Sequence, residues 1–334
     1  MIPAAPVPLS VIIPVRNGSA CIDRCLQALA ASRSQAREVI VVDDGSTDDT
    51  AARVARHPCQ LIRLPGHQGA AAARNAGAAA ARSAILFFID ADCLVLPETL
   101  TQAAAAAQAH GPGTVVGGTY TLLPADDRFW SAFQSIFIHH AETKRLAAPD
   151  YVASHAMVIH RQDLADHGGF PEPGLPILED VALSHGLRRA GLRLVMEPRL
   201  LVRHVFDYTL ARSLANAVRK SRYWTAYSLV NRDLFADSGT ASLELKANVV
   251  AVLTALAALA AAGLSGSAAW LGAGAVALGL DLAVSRRLLA AFFRARGPGF
   301  GLSASLYYLT LYPLAVAAGA CLGLAQARAL ARGR

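Results

Sequence analysis

The sequence lacks a cysteine framework. Its five cysteines fall at positions 21, 25, 59, 93 and 321, an odd and unpatterned set. Cys21 and Cys25 stand four apart with no second Cys/His pair to complete a zinc site. That excludes a structural zinc module and fits reduced thiols, packed as small hydrophobes in a cytosolic compartment. A basic face interleaved with aromatics is also missing. Net charge is +7, from 31 Lys+Arg against 24 Asp+Glu. Yet Arg286, Arg287, Arg294 and Arg296 stand beside apolar segments, so the excess points to an anionic membrane leaflet and not to nucleic acid. The first eight residues hold three prolines and no basic segment. No secretory leader is therefore expected, which leaves the N-terminal region on the cytoplasmic side. No Gly-x-Gly-x-x-Gly turn follows the first apolar run, where Pro14-Val15-Arg16-Asn17-Gly18 stands instead. That weighs against a dinucleotide-dependent oxidoreductase. No internal repeat is found.

Apolar residues, by contrast, are abundant at 54%, and they are unevenly spread. Before about residue 245 the apolar runs are short and broken by charge, glycine and proline; beyond it, Ala, Leu, Val and Gly dominate. Three membrane-spanning segments are expected there, at 247–264, 267–285 and 302–325. The first two form a hairpin, after which the Arg-rich stretch 286–296 returns to the cytoplasm. A third crossing would put Arg328, Arg332 and Arg334 on the wrong side by the positive-inside rule, and a re-entrant turn at Pro313 would remove the conflict. Both remain open. Asp281, inside the second segment, requires a partner or a polar face. Residues 209–232, with Arg212, Arg219, Lys220, Arg222, Tyr223, Trp224 and Tyr227, read as an interfacial amphipathic helix.

The first two hundred residues alternate short β-branched runs with helical stretches. Strands are expected near 9–15, 38–42, 61–64, 84–89, 115–120 and 154–159, with a last pair of extended pieces between 192 and 205. Helices are expected near 19–32, 69–82, 98–109 and 127–146, and from Glu179 to Gly191. Ser46-Thr47-Asp48-Asp49 reads as a capping box that opens another. Near-continuous apolar strands between helices argue for a parallel sheet covered on both faces, with ligands at the carboxyl ends of its strands. Polar clusters fall at those ends: Arg16-Asn17, Asp43-Asp44 and Asp90-Ala91-Asp92. Two carboxylates one residue apart at a strand end can hold a hard divalent cation, Mg²⁺ or Mn²⁺, through oxygen.

Four motifs occur in order: Val11-Ile12-Ile13-Pro14-Val15-Arg16-Asn17, Val41-Val42-Asp43-Asp44-Gly45-Ser46-Thr47-Asp48, Arg74-Asn75-Ala76-Gly77 and Phe87-Phe88-Ile89-Asp90-Ala91-Asp92. Gly168-Gly169-Phe170 and Glu179-Asp180 follow. This ordered set, over residues 8–205, resembles the family 2 glycosyltransferases, inverting enzymes of GT-A fold. The resemblance implies an α/β, Rossmann-like nucleotide-sugar-binding domain at 1–207, with a nucleotide half at about 8–95 and an acceptor half at about 96–207. An interfacial region at 208–245 and transmembrane helices at 246–334 follow it. It puts Asp43 and Asp44 near the base and ribose, with Pro14, Arg16 and Asn17 of the first strand's loop beside them. Arg74 falls near the base or phosphates, Asp90 near ribose or metal, and Asp92 on the metal. Asp180 matches the general base, with Glu179 and His155 on the acceptor side. His204 is a looser match to a metal or diphosphate ligand, and Arg219 and Arg222 could add charge at the diphosphate. Arg222-Tyr223-Trp224 departs from the Gln-x-x-Arg-Trp of processive members, which argues against a polysaccharide-threading synthase.

The expectation is thus transfer from a nucleoside-diphosphate sugar, UDP-sugar by family frequency, to a hydroxyl acceptor. The membrane segments favour a lipid or lipid-linked acceptor and a multi-pass protein of the inner (plasma) membrane, its catalytic domain cytoplasmic. A polyprenyl-phosphate acceptor and an inactive membrane scaffold are the alternatives.

Overall fold

The computed structural model describes residues 6–172 and 175–332, with side chains as far as residue 327. The three prolines of the first eight residues fall partly, and Pro173 of the loop after Phe170 wholly, outside the described residues; so does Arg334, and nothing is described of the Arg328 and Arg332 side chains. In chain order the elements are β1 (Val7–Val15), α1 (Ile22–Ala30), β2 (Ala36–Asp43), α2 (Thr50–Val54), β3 (Gln60–Arg63), α3 (Ala70–Ala80), β4 (Ile85–Ile89), β5 (Cys93–Val95), α4 (Thr99–His110) and β6 (Thr114–Tyr120). Then come α5 (Phe129–Glu142), β7 (Ala156–His160), α6 (Arg161–Asp166), α7 (Glu179–Arg189), β8 (Arg193–His204), α8 (Leu210–Asn231), α9 (Leu243–Ser265), α10 (Ala269–Leu309) and α11 (Leu311–Arg332). Contacts group them into two compact units, one running to Asp126 and including Glu142–Phe206, the other Asp127–Ala141 with Asp207–Arg334. Most of the stretch expected as a 1–207 domain falls in the first unit, and Asp127–Ala141 groups with the second, where the aromatic face of α5 packs.

In the first unit a single sheet runs β3-β2-β1-β4-β7-β6-β8-β5. The β3-β2-β1-β4 half is parallel. The expectation of a wholly parallel sheet ends there: β7 runs antiparallel to β4 and β6, and β5 antiparallel to β8. Short strands buried on both faces look alike in sequence whichever way they run, so direction was not readable. The pair of pieces expected between 192 and 205 is one strand, β8, and β5 and α6 are additional. The capping box is not formed either. Asp49 at the α2 N-cap makes no capping hydrogen bond. Instead Ser46 Oγ accepts from Asn17 N at 2.9 Å, and Asp48 accepts from Ser19 N at 3.2 Å and Thr50 N at 3.1 Å. The polar residues lace two loops together. Above the sheet, α3 approaches β1 at Gly77, where an added Cβ would lie 2.5 Å from Ile12 Cγ2.

The second unit is helical. Phe133 of α5 stacks on Phe292 at 5.2 Å and meets Tyr307 and Tyr312 edge-on. By length and composition two helical stretches could cross a membrane, Leu243–Ser265 and Ala269–Ala327. Val250, Leu259, Leu264, Val276 and Leu280 are exposed, as suits a hydrocarbon surround better than a soluble core. The second stretch is not one rod. It breaks at Arg296 and Gly297, ahead of Pro298, which lacks an N–H and crowds the turn before it. It breaks again at Thr310 (φ −128°, ψ −75°), so the segment expected at 302–325 is two helices. Pro313 sits in the first turn of α11, where proline is tolerated, three residues past that break. Asp281, almost wholly buried, accepts from Asn248 Nδ2 at 2.8 Å and Ser285 Oγ at 3.1 Å. α11 crosses α8 at Gly319 and Gly323, whose missing side chains leave room for the α8 backbone at Val218 and Arg222.

Gly77→Ala is expected to destabilise the protein by about 1–3 kcal/mol through overpacking against Ile12. Gly186→Ala, in α7 with open space around it, is expected to gain up to about 1 kcal/mol of helix propensity. Denaturant titration of the two variants side by side checks the contrast, and equal effects would contradict the close approach at Gly77.

Candidate active site

The antiparallel turn of β7 explains how the site assembles. Ile89 pairs with Ala156, so the next residues outward, Asp90 after β4 and His155 before β7, reach the same edge. On the neighbouring β5–β8 pair, Cys93 stands opposite His204, and Val205 N donates to Asp92 O at 2.8 Å. Asp92 Oδ1 lies 3.3 Å from His204 Nε2. α7 then delivers Glu179 and Asp180 at its N-terminus, where the helix dipole favours carboxylates. The residue before them, Leu178, has φ 82°, a left-handed conformation that costs about 1–2 kcal/mol.

Arg74, buried on α3, binds the group together. Its Nη1 donates to Glu179 Oε1 at 2.5 Å and its Nη2 to Asp90 Oδ1 at 2.7 Å. Its guanidinium lies over the Phe170 ring at 5.5 Å. Phe170 is held from α3 as well: Asn75 Nδ2 donates to its carbonyl at 2.9 Å, and its N–H donates to Asn75 Oδ1 at 2.8 Å. Gly169 at φ +78° lets the chain pass, since a Cβ there would lie 2.5 Å from Asn75 Oδ1. The Gly168-Gly169-Phe170 motif thus builds the floor under Arg74.

Burial alone would raise the Asp90 carboxyl, but Arg74 outweighs it and holds Asp90 below the ordinary carboxylate range. Burial raises Asp92, against the pull of His204. It also raises Glu179, against Arg74. Asp180 Oδ2 accepts from Ser154 N at 3.0 Å, and Oδ1 from Val181 N at 2.8 Å. His155 lies 3.4 Å from Glu142 and stacks on Tyr120 at 4.0 Å; Tyr120 in turn meets His204 edge-on at 4.9 Å. Burial works against a charged His155, but Glu142 more than offsets it, so the imidazole titrates above its usual range.

Asp92, Cys93 and His204 place ligand atoms within 4.8 Å of one another. Burial pushes the Cys93 thiol far up, and its sulfur is the poorest ligand of the three for a hard cation. A carboxylate oxygen and an imidazole nitrogen remain, a donor set that fits Mn²⁺ or Mg²⁺. Asp90, already bonded to Arg74, is the less available carboxylate of the pair.

Pro14 lies within β1 beside Val42, Arg16 is exposed, and Asn17 Oδ1 accepts from Thr47 N at 2.8 Å. Asp43 accepts from Ser46 N at 2.9 Å and from Arg63 Nε at 3.3 Å. Asp44 organises the loop ahead of α3, accepting from Gln68 N at 2.6 Å, Gly69 N at 3.0 Å and His67 Nδ1 at 2.8 Å. Arg219 and Arg222 belong to the helical unit, where Arg222 Nε donates to Gln326 Oε1 at 2.7 Å. Tyr120, Glu142 and Ser154 were not anticipated. Only a strand-end tyrosine and a lone carboxylate closing an aromatic helix could have marked the first two.

The sequence model of glycosyl transferase family 2 matches residues 10–169. The first unit carries a glycosyl transferase family 2 domain. Among curated relatives, the pre-mycofactocin glycosyltransferase of Mycobacterium tuberculosis is 32% identical over 208 residues, 59% of this chain and 42% of that protein. The succinoglycan biosynthesis protein ExoO of Rhizobium meliloti is 27% identical over 219 residues, 61% of this chain and 62% of its own. The chain thus spans less than two thirds of the length of either. The mannosyltransferase PcManGT of Pyrobaculum calidifontis, solved with GDP-Man and Mn²⁺, aligns over 96% of this chain and 88% of its own at TM-score 0.55 and 19% identity. S. aureus TarS 1-349 with UDP-GlcNAc aligns over 90% and 89% at TM-score 0.50 and 21% identity. These likenesses establish the GT-A fold of the family 2 domain.

Removing the buried guanidinium would strand two carboxylates, so Arg74→Met is expected to cost about 3–5 kcal/mol by denaturant titration; a loss below about 1 kcal/mol would contradict the role given to Arg74. The charge on His155 has a definite sign in its pH dependence. Its folded value is raised, so its stabilisation is present below the unfolded histidine value of about 6.5 and is lost as pH rises through the folded one. The melting-temperature gap between the wild type and His155→Gln is expected to narrow from about pH 6 to about pH 9. A constant gap would contradict the His155–Glu142 pair.

Proposed function

We propose that this protein transfers a sugar from a nucleoside-diphosphate sugar to a hydroxyl of a lipid or lipid-linked acceptor, with inversion, at the cytoplasmic face of a membrane. The single observation that carries the reading is the gathering of Asp90, Asp92, His155, Glu179, Asp180 and His204 at one sheet edge, with carboxylates in excess over the one buried guanidinium. An edge of that charge favours a cation and rejects a bare diphosphate. Asp92 and His204 would hold a Mg²⁺ or Mn²⁺ ion, which when bound neutralises charge developing on the leaving diphosphate.

The chain's own residues do the rest. Glu179 is committed to Arg74, so Asp180 is the carboxylate left to act as base. Two backbone N–H groups orient it. As the acceptor oxygen bonds to the anomeric carbon, its proton passes to Asp180. The bond to the diphosphate breaks on the opposite face, the nucleoside diphosphate leaves with the electron pair, and the configuration inverts. A phosphate nucleophile would need no such base, which is why a hydroxyl is favoured over a polyprenyl phosphate. Asp43, Asp44 and Arg16 are assigned to the nucleoside end. UDP is the proposed nucleotide. The outward apolar surface of α9 and α10 supports a membrane anchor.

The test is nucleoside-diphosphate release by the full chain in detergent, over a panel of nucleotide-sugars with Mn²⁺ or Mg²⁺ and a lipid extract as acceptor. Asp180→Asn is expected to lower turnover by about 10²–10⁴ while leaving donor binding intact, and Asp92→Ala to weaken donor binding only when metal is present. Undiminished turnover in either variant would overturn the corresponding role; absence of any metal-dependent donor binding would overturn the function.

A further inference from the structure

A groove in the helical unit, lined by none of the candidate-site residues, has the makings of a ligand site. It holds about 290 Å³ between α5, α8, α9, α11 and the 232–242 connection. Its walls are mostly apolar, with Phe137, Trp224, Val249 and Leu324 among them. A wall of that kind, between helices apolar enough to enter a bilayer, suits a hydrocarbon chain. Three polar features argue against plain bilayer lipid. The charged groups lining it are Lys220 and Lys246, one from each of two helices, and its described lining contains no carboxylate. Lys246 Nζ donates to the Ala236 carbonyl at 2.5 Å, which fixes its ammonium at the groove. Gln134, 1% exposed, also lines the groove, and its Oε1 is buried with no hydrogen-bond partner among the described residues. Hydrocarbon cannot satisfy an amide oxygen, whereas a head group bearing a hydroxyl can.

We propose that this groove binds the acceptor lipid, an amphiphile with a phosphate-bearing head on Lys220 and Lys246 and a long hydrocarbon tail along Trp224 and Leu324. A lysine pair neutralises phosphate as point charges, without the planar geometry an arginine fork demands. The inference rests on the transfer reaction proposed above for its word acceptor, but the binding site stands on its own observations.

The full chain in phosphatidylcholine nanodiscs is labelled with a dodecyl phosphate carrying a photoreactive group on its tail, and the labelled peptides are mapped. Labelling is expected to saturate on the groove-lining parts of α8, α9 and α11. An unlabelled alkyl phosphate should compete, and inorganic phosphate or a zwitterionic lipid should not. The Lys220→Glu/Lys246→Glu protein is expected to bind the probe about tenfold more weakly or worse, and Ala320→Trp, which fills the groove without touching its charge, to block labelling too. Uniform labelling along the outer faces of α9 and α10, without competition and unchanged in both variants, would mean annular lipid alone and would overturn the site. The two readings separate cleanly. If the probe saturates the groove but no sugar reaches any lipid, the groove survives and the transfer reaction falls. If lipid is glycosylated and the double variant keeps the wild-type KM for it, the reaction survives and the groove falls.

Discussion

One buried guanidinium organises the catalytic edge. Arg74 is 4% exposed and bonds both Asp90, just after β4, and Glu179, at the start of α7 and 105 residues from Arg74 in sequence. An ion pair so buried gains little net stability, because desolvation cancels much of the attraction. What it does is specify. With Arg74 in place, Glu179 and Asp90 each have a fixed partner, which is why the proposed reading gives cation binding to Asp92 and proton transfer to Asp180. The supports of Arg74 explain several otherwise separate motifs: Gly77 lets α3 down onto β1, Asn75 clamps the Gly168-Gly169-Phe170 turn, and Phe170 lies beneath the guanidinium and edge-on to Phe88 at 5.0 Å.

The second constraint is charge. Arg74 balances one carboxylate of the edge, and the His155–Glu142 pair is close to self-balanced, so Asp92, Asp180 and their neighbours leave the edge anionic. A diphosphate would be repelled there without a cation. The helical unit answers a different demand. Its exterior is apolar, and the buried carboxylate of Asp281 is satisfied internally by Asn248 and Ser285. Polar groups within a bilayer are tolerated on such terms.

Much of this was legible in the sequence, and the reason differs from part to part. Buried strands announce themselves by β-branched runs, so β1, β2, β4 and β6 were found near their observed bounds, and the polar ends of β1, β2 and β4 pointed to one edge. Strand direction leaves no such trace. The antiparallel β7, which brings His155 beside Asp90, had to come from the structure. Side chains of these motifs also lace loops together: Asn17 Oδ1 accepts from Thr47 N, Ser46 Oγ from Asn17 N, and Asp44 from Gln68 N and Gly69 N, contacts that spacing alone does not reveal. Tyr120 and Glu142 were missed because nothing local distinguishes them; their importance arises from contact with His155 and His204. In the helical unit, hydropathy located the apolar stretches and left Gly297 between them, but it missed the break at Thr310, since a window average is blind to a single φ/ψ change.

The account stands most directly on metal-dependent binding at Asp92. Calorimetric titration of UDP into the detergent-solubilised protein, with Mn²⁺ and again with a chelator, measures it without any acceptor. Binding that appears with Mn²⁺, vanishes with the chelator and is lost in Asp92→Asn is the predicted result. Binding of equal strength under all three conditions would contradict the assignment of the carboxylate edge as a cation and diphosphate site.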